Sequence, residues 1–217
     1  MSSIPDSFLN LGEAAVRKWV EENPGGDNVE TRDGDGCQPL FAMAQLDKLK
    51  TAIWLIDEKK ANPNCRGYEN LMPLHVAKSK KMINALLDRE ANPALTNRWG
   101  HNALMQQISN VSQYAACVVA LLEHPRGRAL VNVGSPGGFQ GRVGWTALHC
   151  AVDPHDDGPW PEAIELLLKA GADPTIEDDW GRTPLALLGD SMDGFEDDPA
   201  AEEARELLEA AEEAMDG

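Results

Sequence analysis

The sequence contains no run of about 18 consecutive apolar residues, so nothing in it reads as a membrane span. Its cysteines are few and unpaired. Cys37, Cys65, Cys117 and Cys150 lie far apart with no C-x-x-C among them, which argues against a disulfide framework and for free thiols in a reducing compartment. Basic charge is scarce: 19 Lys and Arg stand against 36 Asp and Glu, a formal net charge of −17. Nonspecific nucleic-acid binding needs a basic footprint over the domain, and this chain has none. Residues 1–16 are acidic rather than basic and hold no apolar core, so they do not read as a signal peptide.

Catalytic signatures are missing as well. There is no nucleophile elbow, no H-E-x-x-H and no dinucleotide fingerprint. The acidic turn Asp33-Gly34-Asp35-Gly36 lacks the oxygen spacing and closing Glu of a calcium loop. The glycine-rich stretch 133–144 lacks the Lys and Ser/Thr of a phosphate-binding loop, and an extended hairpin finger is expected there. His149, Cys150, His155 and Asp156 match no structural zinc spacing. No catalytic, cofactor-binding or metal-ligating residue is therefore expected.

What is present is a repeat. A hydrophobic content of 42% excludes wholesale disorder, and one whole unit stands out between Gly144 and Pro174. Gly144 through Ala151 reads as a turn glycine, a Thr cap and a small-apolar helical turn. Ile164, Leu166, Leu167 and Leu168 begin a second helix, closed by Gly171 and followed by Ala172-Asp173-Pro174. The first-helix leucine recurs at Leu40, Leu74, Leu104, Leu148 and Leu185, with spacings of 34, 30, 44 and 37 residues. A second-helix pair recurs at Leu55-Ile56, Leu86-Leu87, Leu121-Leu122, Leu167-Leu168 and Leu207-Leu208. The turn that follows recurs as Ala61-Asn62-Pro63, Ala91-Asn92-Pro93 and Ala172-Asp173-Pro174.

The pattern resembles that of ankyrin repeats, G-x-T-P-L-H-x-A-A, a Leu-Leu pair, then G-A-D, with a period of about 33 residues. The resemblance implies an all-α solenoid of helix-turn-helix units joined by hairpin-like loops. It divides the chain into an N-terminal capping unit (1–35), about five repeats (36–189) and an acidic loop with a C-terminal capping helix (190–217). His75 and His149 fall on the family's histidine position, where the imidazole ties adjacent turns together.

Each unit departs from the pattern somewhere. Residues 13–22 place Ala15, Val16, Trp19 and Val20 on one helical face, ended by Pro24-Gly25-Gly26. In the first repeat Gln38 replaces Thr and Phe41 replaces His. In the second, only 12 residues separate Leu74 from Leu86 against 15 from Leu40 to Leu55, so roughly one helical turn is missing, and Asn70 stands in for the turn glycine. Lys78, Lys80 and Lys81 are expected in its shortened inter-helix turn. The third is stretched and followed by an insertion over 124–143, and the fourth is lengthened at 153–159. In the last, Asp198-Pro199 reads as a cap, and Ala201, Ala204, Leu208, Ala211 and Met215 form an apolar stripe.

Ankyrin repeats are binding scaffolds, so the resemblance implies a non-enzymatic, intracellular interaction module, a monomer in the cytoplasm or nucleus. Its protein partner would meet the loop tips and the concave face beside them. Trp99, Trp145 and Trp180 flank the tip glycines Gly100, Gly144 and Gly181, and with His101, Arg142 and Arg182 they form the expected partner-binding set. The tryptophans either stack tip on tip or serve recognition, where Trp and Arg are enriched. Charge is also uneven: residues 47–98 carry 10 basic and 6 acidic groups, whereas residues 190–217 carry 1 and 12. An alternative reading is an inhibitor that occludes a basic or kinase partner surface with this acidic tail.

Overall fold

The computed structural model describes residues 4–23, 28–109, 111–138, 141–153, 159–190 and 198–216. The described residues are helical and contain no strand, only an isolated antiparallel bridge between Pro136 and Val143. The chain forms two compact units, Met1–Arg98 and Trp99–Gly217.

Unit 1 contains α1 (Glu13–Glu22), α2 (Pro39–Gln45), α3 (Leu49–Asp57), α4 (Pro73–Val76) and α5 (Lys80–Leu87). Its repeats are the pairs α2/α3 and α4/α5; first helices pack on each other, as do second helices. Unit 2 contains α6 (Ala103–Ile108), α7 (Val111–Glu123), α8 (Pro125–Arg128), α9 (Ala147–Val152), α10 (Pro161–Lys169), α11 (Pro184–Asp190) and α12 (Pro199–Asp216). Its pairs are α6/α7, α9/α10 and α11/α12, with α6, α9 and α11 stacked in one row and α7, α10 and α12 in the other. Among the described residues the helices form five such pairs, and each pair carries one set of the leucine anchors.

Local chemistry sets the helix boundaries. Pro39 and Pro73 open α2 and α4 at a position where no N–H is needed. Ser79 Oγ accepts from Met82 N at 3.2 Å, Asn102 Oδ1 from Met105 N at 3.0 Å, and Asp198 Oδ1 from Ala200 N at 2.9 Å. Each such cap is worth about 1 kcal/mol. The anchors Leu40, Leu55, Leu74, Leu86, Leu104, Leu121, Leu148 and Leu167 are at most 1% exposed. Burying each contributes about 2 kcal/mol, and this apolar interior, more than helix propensity, holds such short helices.

Several expectations need correction. Ala15 is exposed, because it lies about 90° from the centre of the Val16, Trp19 and Val20 stripe at ~100° per residue. That stripe instead takes Phe8, whose ring meets Trp19 edge-on at 5.0 Å. Pro24-Gly25-Gly26 lies outside the described residues, as do 154–158 and 191–197. The turn missing from the second repeat is lost from α4, only 4 residues long, and Lys80 and Lys81 begin α5 rather than lying in a turn. Leu185 is half-buried, since α11 has a first-helix neighbour on one side only, α9; Leu187 and Leu188 fill the core instead. In α12, Ala201, Ala204 and Leu208 are buried, but Ala211 is half-buried and Met215 is 58% exposed.

The insertion after α7 holds a helix the sequence concealed. Arg126-Gly127-Arg128 looks like loop, yet α8 begins on Pro125, with His124 Nδ1 accepting from Arg126 N at 3.2 Å. Gly127 lets this turn press against α7, since a Cβ there would be driven into the Leu121 carbonyl. Beyond it, Ser135 N donates to Trp145 O at 2.7 Å and Gly144 N to Ser135 O at 2.9 Å. With the bridge at Pro136 and Val143, these bonds make the base of a hairpin finger.

Candidate functional site

The tips between repeats are built on one device, a residue in the left-handed region two positions before each first helix's cap. Gly36, Asn70, Gly100, Gly144 and Gly181 have φ of 78°, 58°, 85°, 79° and 73°, so Asn70 does take the place of the glycine. An aspartate organises two of these tips identically. Asp33 Oδ1 accepts from Asp35 N at 3.0 Å and Cys37 N at 2.8 Å; Asp178 Oδ1 accepts from Trp180 N at 2.9 Å and Arg182 N at 3.0 Å.

At the second of these tips Asp178 also binds the side chain of Arg182, with Oδ2 accepting from Nε at 3.0 Å and Nη2 at 2.8 Å. Burial pulls the Asp178 carboxyl up, but the bonds from Arg182 and from the backbone outweigh it and hold it below the usual carboxylate range. The Arg182 guanidinium carbon in turn lies 5.2 Å from the centre of the Trp180 ring. Trp180 nevertheless stays 59% exposed. An indole on a backbone pinned by hydrogen bonds to Asp178 starts from a fixed backbone, which leaves less ordering entropy to lose on contact.

The layer behind this tip is tightly tied. Thr146 N donates to His149 Nδ1 at 3.1 Å, and His149 Nε2 lies 2.9 Å from Arg182 O. Because Nδ1 accepts from an N–H, the proton sits on Nε2 and is donated to the Arg182 carbonyl. His149 is thus a neutral strut between α9 and the next tip. Burial pushes its pKa below the ordinary histidine value. Trp145 stacks on His149 with ring centres 6.1 Å apart, and Arg142 lies over Trp145 at 4.7 Å. Arg142 reaches Asp153 Oδ2 at 2.5 Å in an ion pair whose side chains are 8% and 2% exposed. Ser135 Oγ donates to Gly100 O at 3.0 Å and Asp179 N to Val143 O at 3.2 Å, which stitches successive tips of unit 2 together.

The structure therefore sorts the six sequence-selected residues. Trp180 projects, and Arg182 and Trp99 are half-buried. His101, Arg142 and Trp145 are buried at 4%, 7% and 5% exposure, so their side chains sit inside the tip layer rather than on it. Arg142 is brought together with Trp145, and Arg182 with Trp180. No group of three or more His, Cys, Asp or Glu among the described residues could hold a metal ion. All four cysteines are buried and none is in a disulfide, and burial pushes the Cys37 and Cys65 thiols up, away from nucleophilic thiolate.

A family model described as ankyrin repeats, in three copies, matches residues 74–178. The chain carries ankyrin repeats. Its fold is that of an ankyrin repeat domain from Acinetobacter baumannii, with a TM-score of 0.65, 23% identity and coverage of 94% of this chain and 95% of that one. A fold match of TM-score 0.65 and 19% identity also comes from a solved complex of a predatory endopeptidase from Bdellovibrio bacteriovorus with an immunity protein, over 96% of this chain and 99% of the matched one. Among curated proteins, the transient receptor potential channel pyrexia of Drosophila melanogaster is 27% identical over 187 residues, covering 78% of this chain. The chain spans only 18% of that relative's length. Ankyrin repeats mark a protein-interaction module, and no helix among the described residues is long and apolar enough to cross a membrane.

One set of ankyrin contacts escaped the sequence reading. The N–H of the Asn or Asp in each Ala-Asn/Asp-Pro turn is taken by a side chain from earlier in the sequence. Asn62 N donates to Glu30 Oε1 at 2.8 Å, Asn92 N to Asn64 Oδ1 at 2.6 Å, and Asp173 N to Asn132 Oδ1 at 2.9 Å. The turns were legible from their prolines. Their acceptors were not, because they precede the turns by 32, 28 and 41 residues and differ in type.

Proposed function

We propose that the chain is a non-enzymatic module that binds a protein partner through the tips of unit 2, with Trp180, Arg182 and Trp99 as contact residues. His101, Arg142 and Trp145 hold the tip layer in shape beneath them. The observation that carries this reading is the 59% exposure of Trp180 on a tip fixed by Asp178 and His149. Exposed aromatics beside Arg are what interface hot spots are made of. The module works as a monomer in the cytoplasm or nucleus, where reducing conditions suit four buried cysteines outside any disulfide. Its partner is a protein rather than a nucleic acid, as its formal charge of −17 favours.

The test is Trp180→Ala, measured against a partner recovered by affinity capture. The expected result is a loss of about 2 kcal/mol in affinity with an unchanged denaturation midpoint, since an exposed ring contributes to contact and not to the core. Unchanged affinity of the variant would overturn the reading.

A second reading, inhibition of a basic or kinase partner, is favoured by one observation. The exposed face of α12 carries Glu202, Glu203, Glu206, Glu209 and Glu213. Assaying the recovered partner's activity with and without the chain separates an adaptor from an inhibitor.

A further inference from the structure

Three of the tryptophans, Trp54, Trp145 and Trp180, hold cations. In unit 1 the Trp54 ring has two, Arg17 Cζ at 4.7 Å and Lys59 Nζ at 5.0 Å from its centre. In unit 2 Trp145 holds Arg142 at 4.7 Å and Trp180 holds Arg182 at 5.2 Å. A cation above an indole is attracted by the negative ring face, more strongly as water is excluded. Trp54 shows that one indole in this chain accommodates two cations, yet Trp180 has one and remains 59% exposed.

Its surroundings favour a second cation. Asp178, with its side chain fully buried, neutralises Arg182 through two bonds, so the cation already present does not repel another strongly. Glu177 and Asp179 are exposed on either side of Asp178, and neither forms an ion pair among the described residues. The Glu177 carboxylate lies beside the tip, its Oε2 3.9 Å from where a Cβ on Gly181 would stand. Asp179 Oδ1 lies 2.9 Å from the corresponding point on Gly144. An exposed indole on a tip that also carries two exposed carboxylates without ion pairs among the described residues matches a guanidinium or ammonium group, whose flat or apolar part stacks while its N–H groups meet oxygen.

We propose that the tip Glu177–Arg182 takes an arginine or lysine side chain from a basic segment of the partner protein, stacked on Trp180 and bonded by Glu177 and Asp179. This rests on the reading of the unit 2 tips as the contact surface and adds the partner's chemistry to it. An apolar partner side chain would leave both carboxylates without compensation, and an acidic one would be repelled by them.

The test is an NMR titration of the full chain with the peptide Gly-Arg-Gly-Arg-Gly and, in parallel, Gly-Glu-Gly-Glu-Gly. The indole N–H signal of Trp180 is assigned by its loss in Trp180→Ala. The Arg peptide should move that signal saturably, and the Glu peptide should leave it in place. Affinity for the Arg peptide should fall about tenfold in Trp180→Ala. It should fall in the double variant Glu177→Gln, Asp179→Asn well beyond its fall in Glu203→Gln, Glu209→Gln, which removes the same charge from the exposed face of α12. An unmoved indole signal, or equal weakening by the two double variants, would show diffuse attraction and overturn the proposal. If the Arg peptide fails while the native partner still requires Trp180, the cationic chemistry falls and the tip reading stands. If the partner ignores Trp180→Ala although the peptide binds, both fall as a description of the partner contact.

Discussion

His149 holds a carbonyl with one nitrogen and a backbone N–H with the other, an arrangement only the neutral ring permits. Protonation would set a second ring proton against the Thr146 N–H. Its folded-state pKa lies below the unfolded value of 6.5, so between the two the unfolded chain binds more protons. The stabilisation is complete above about pH 6.5 and is lost as pH falls below it toward the depressed folded value. Urea denaturation at pH 7.5 and 5.5 should show wild type losing more stability than His149→Gln, and equal losses would count against the neutral strut. Gly127 makes a second residue-scale prediction. A Cβ there meets backbone, not a movable side chain, so Gly127→Ala should destabilise by about 1–3 kcal/mol despite its better helix propensity. A neutral or stabilising effect would mean that α8 does not press on α7 as described.

The helix pairs are stabilised by their leucines, and α4/α5 is the thinnest of them. Leu148→Ala or Leu167→Ala opens a cavity in a fully packed layer and should cost roughly 2–5 kcal/mol by chemical denaturation. A cost below about half a kcal/mol at both sites would be inconsistent with those burial positions. With α4 reduced to 4 residues, the second repeat has the least helix to protect it. Amides in residues 78–90 should therefore exchange faster than those in 159–170, and the reverse order would contradict this ranking. The repeat was readable at this scale because its anchors are local: a leucine, a Leu-Leu pair and an Ala-Asn/Asp-Pro turn each require particular residue types. Asn70 could be read as a glycine substitute because few other residues tolerate positive φ. What was not readable depends on how side chains pack rather than on residue type. The α8 turn fits because Gly127 passes close under the Leu121 carbonyl of α7, and Trp145 is interior beneath an Arg142 held by Asp153, whereas Trp180 is exposed. Flanking a glycine gave the tryptophans the same sequence context but not the same environment.

At the scale of the molecule, acidic charge is concentrated in the last stretch of the sequence. Residues 190–217 carry 12 acidic groups against one basic, and α12 needs only Ala201, Ala204 and Leu208 for its buried face. Such density opposes itself, so it serves either solubility or attraction of a basic partner. Replacing Glu202, Glu203, Glu206 and Glu209 by Gln should slow association with the partner and flatten its salt dependence, since exposed charges act over about 8 Å at physiological salt. Unchanged rate and salt slope would assign the tail to solubility alone. Hydrogen–deuterium exchange of the chain, free and saturated with its recovered partner, reads the interface directly. Added protection concentrated at residues 177–182 and the neighbouring tips 99–102 and 142–146 is the predicted result. Protection confined to the second helices α7, α10 and α12, with the tips exchanging as in the free chain, would contradict a tip-borne interface.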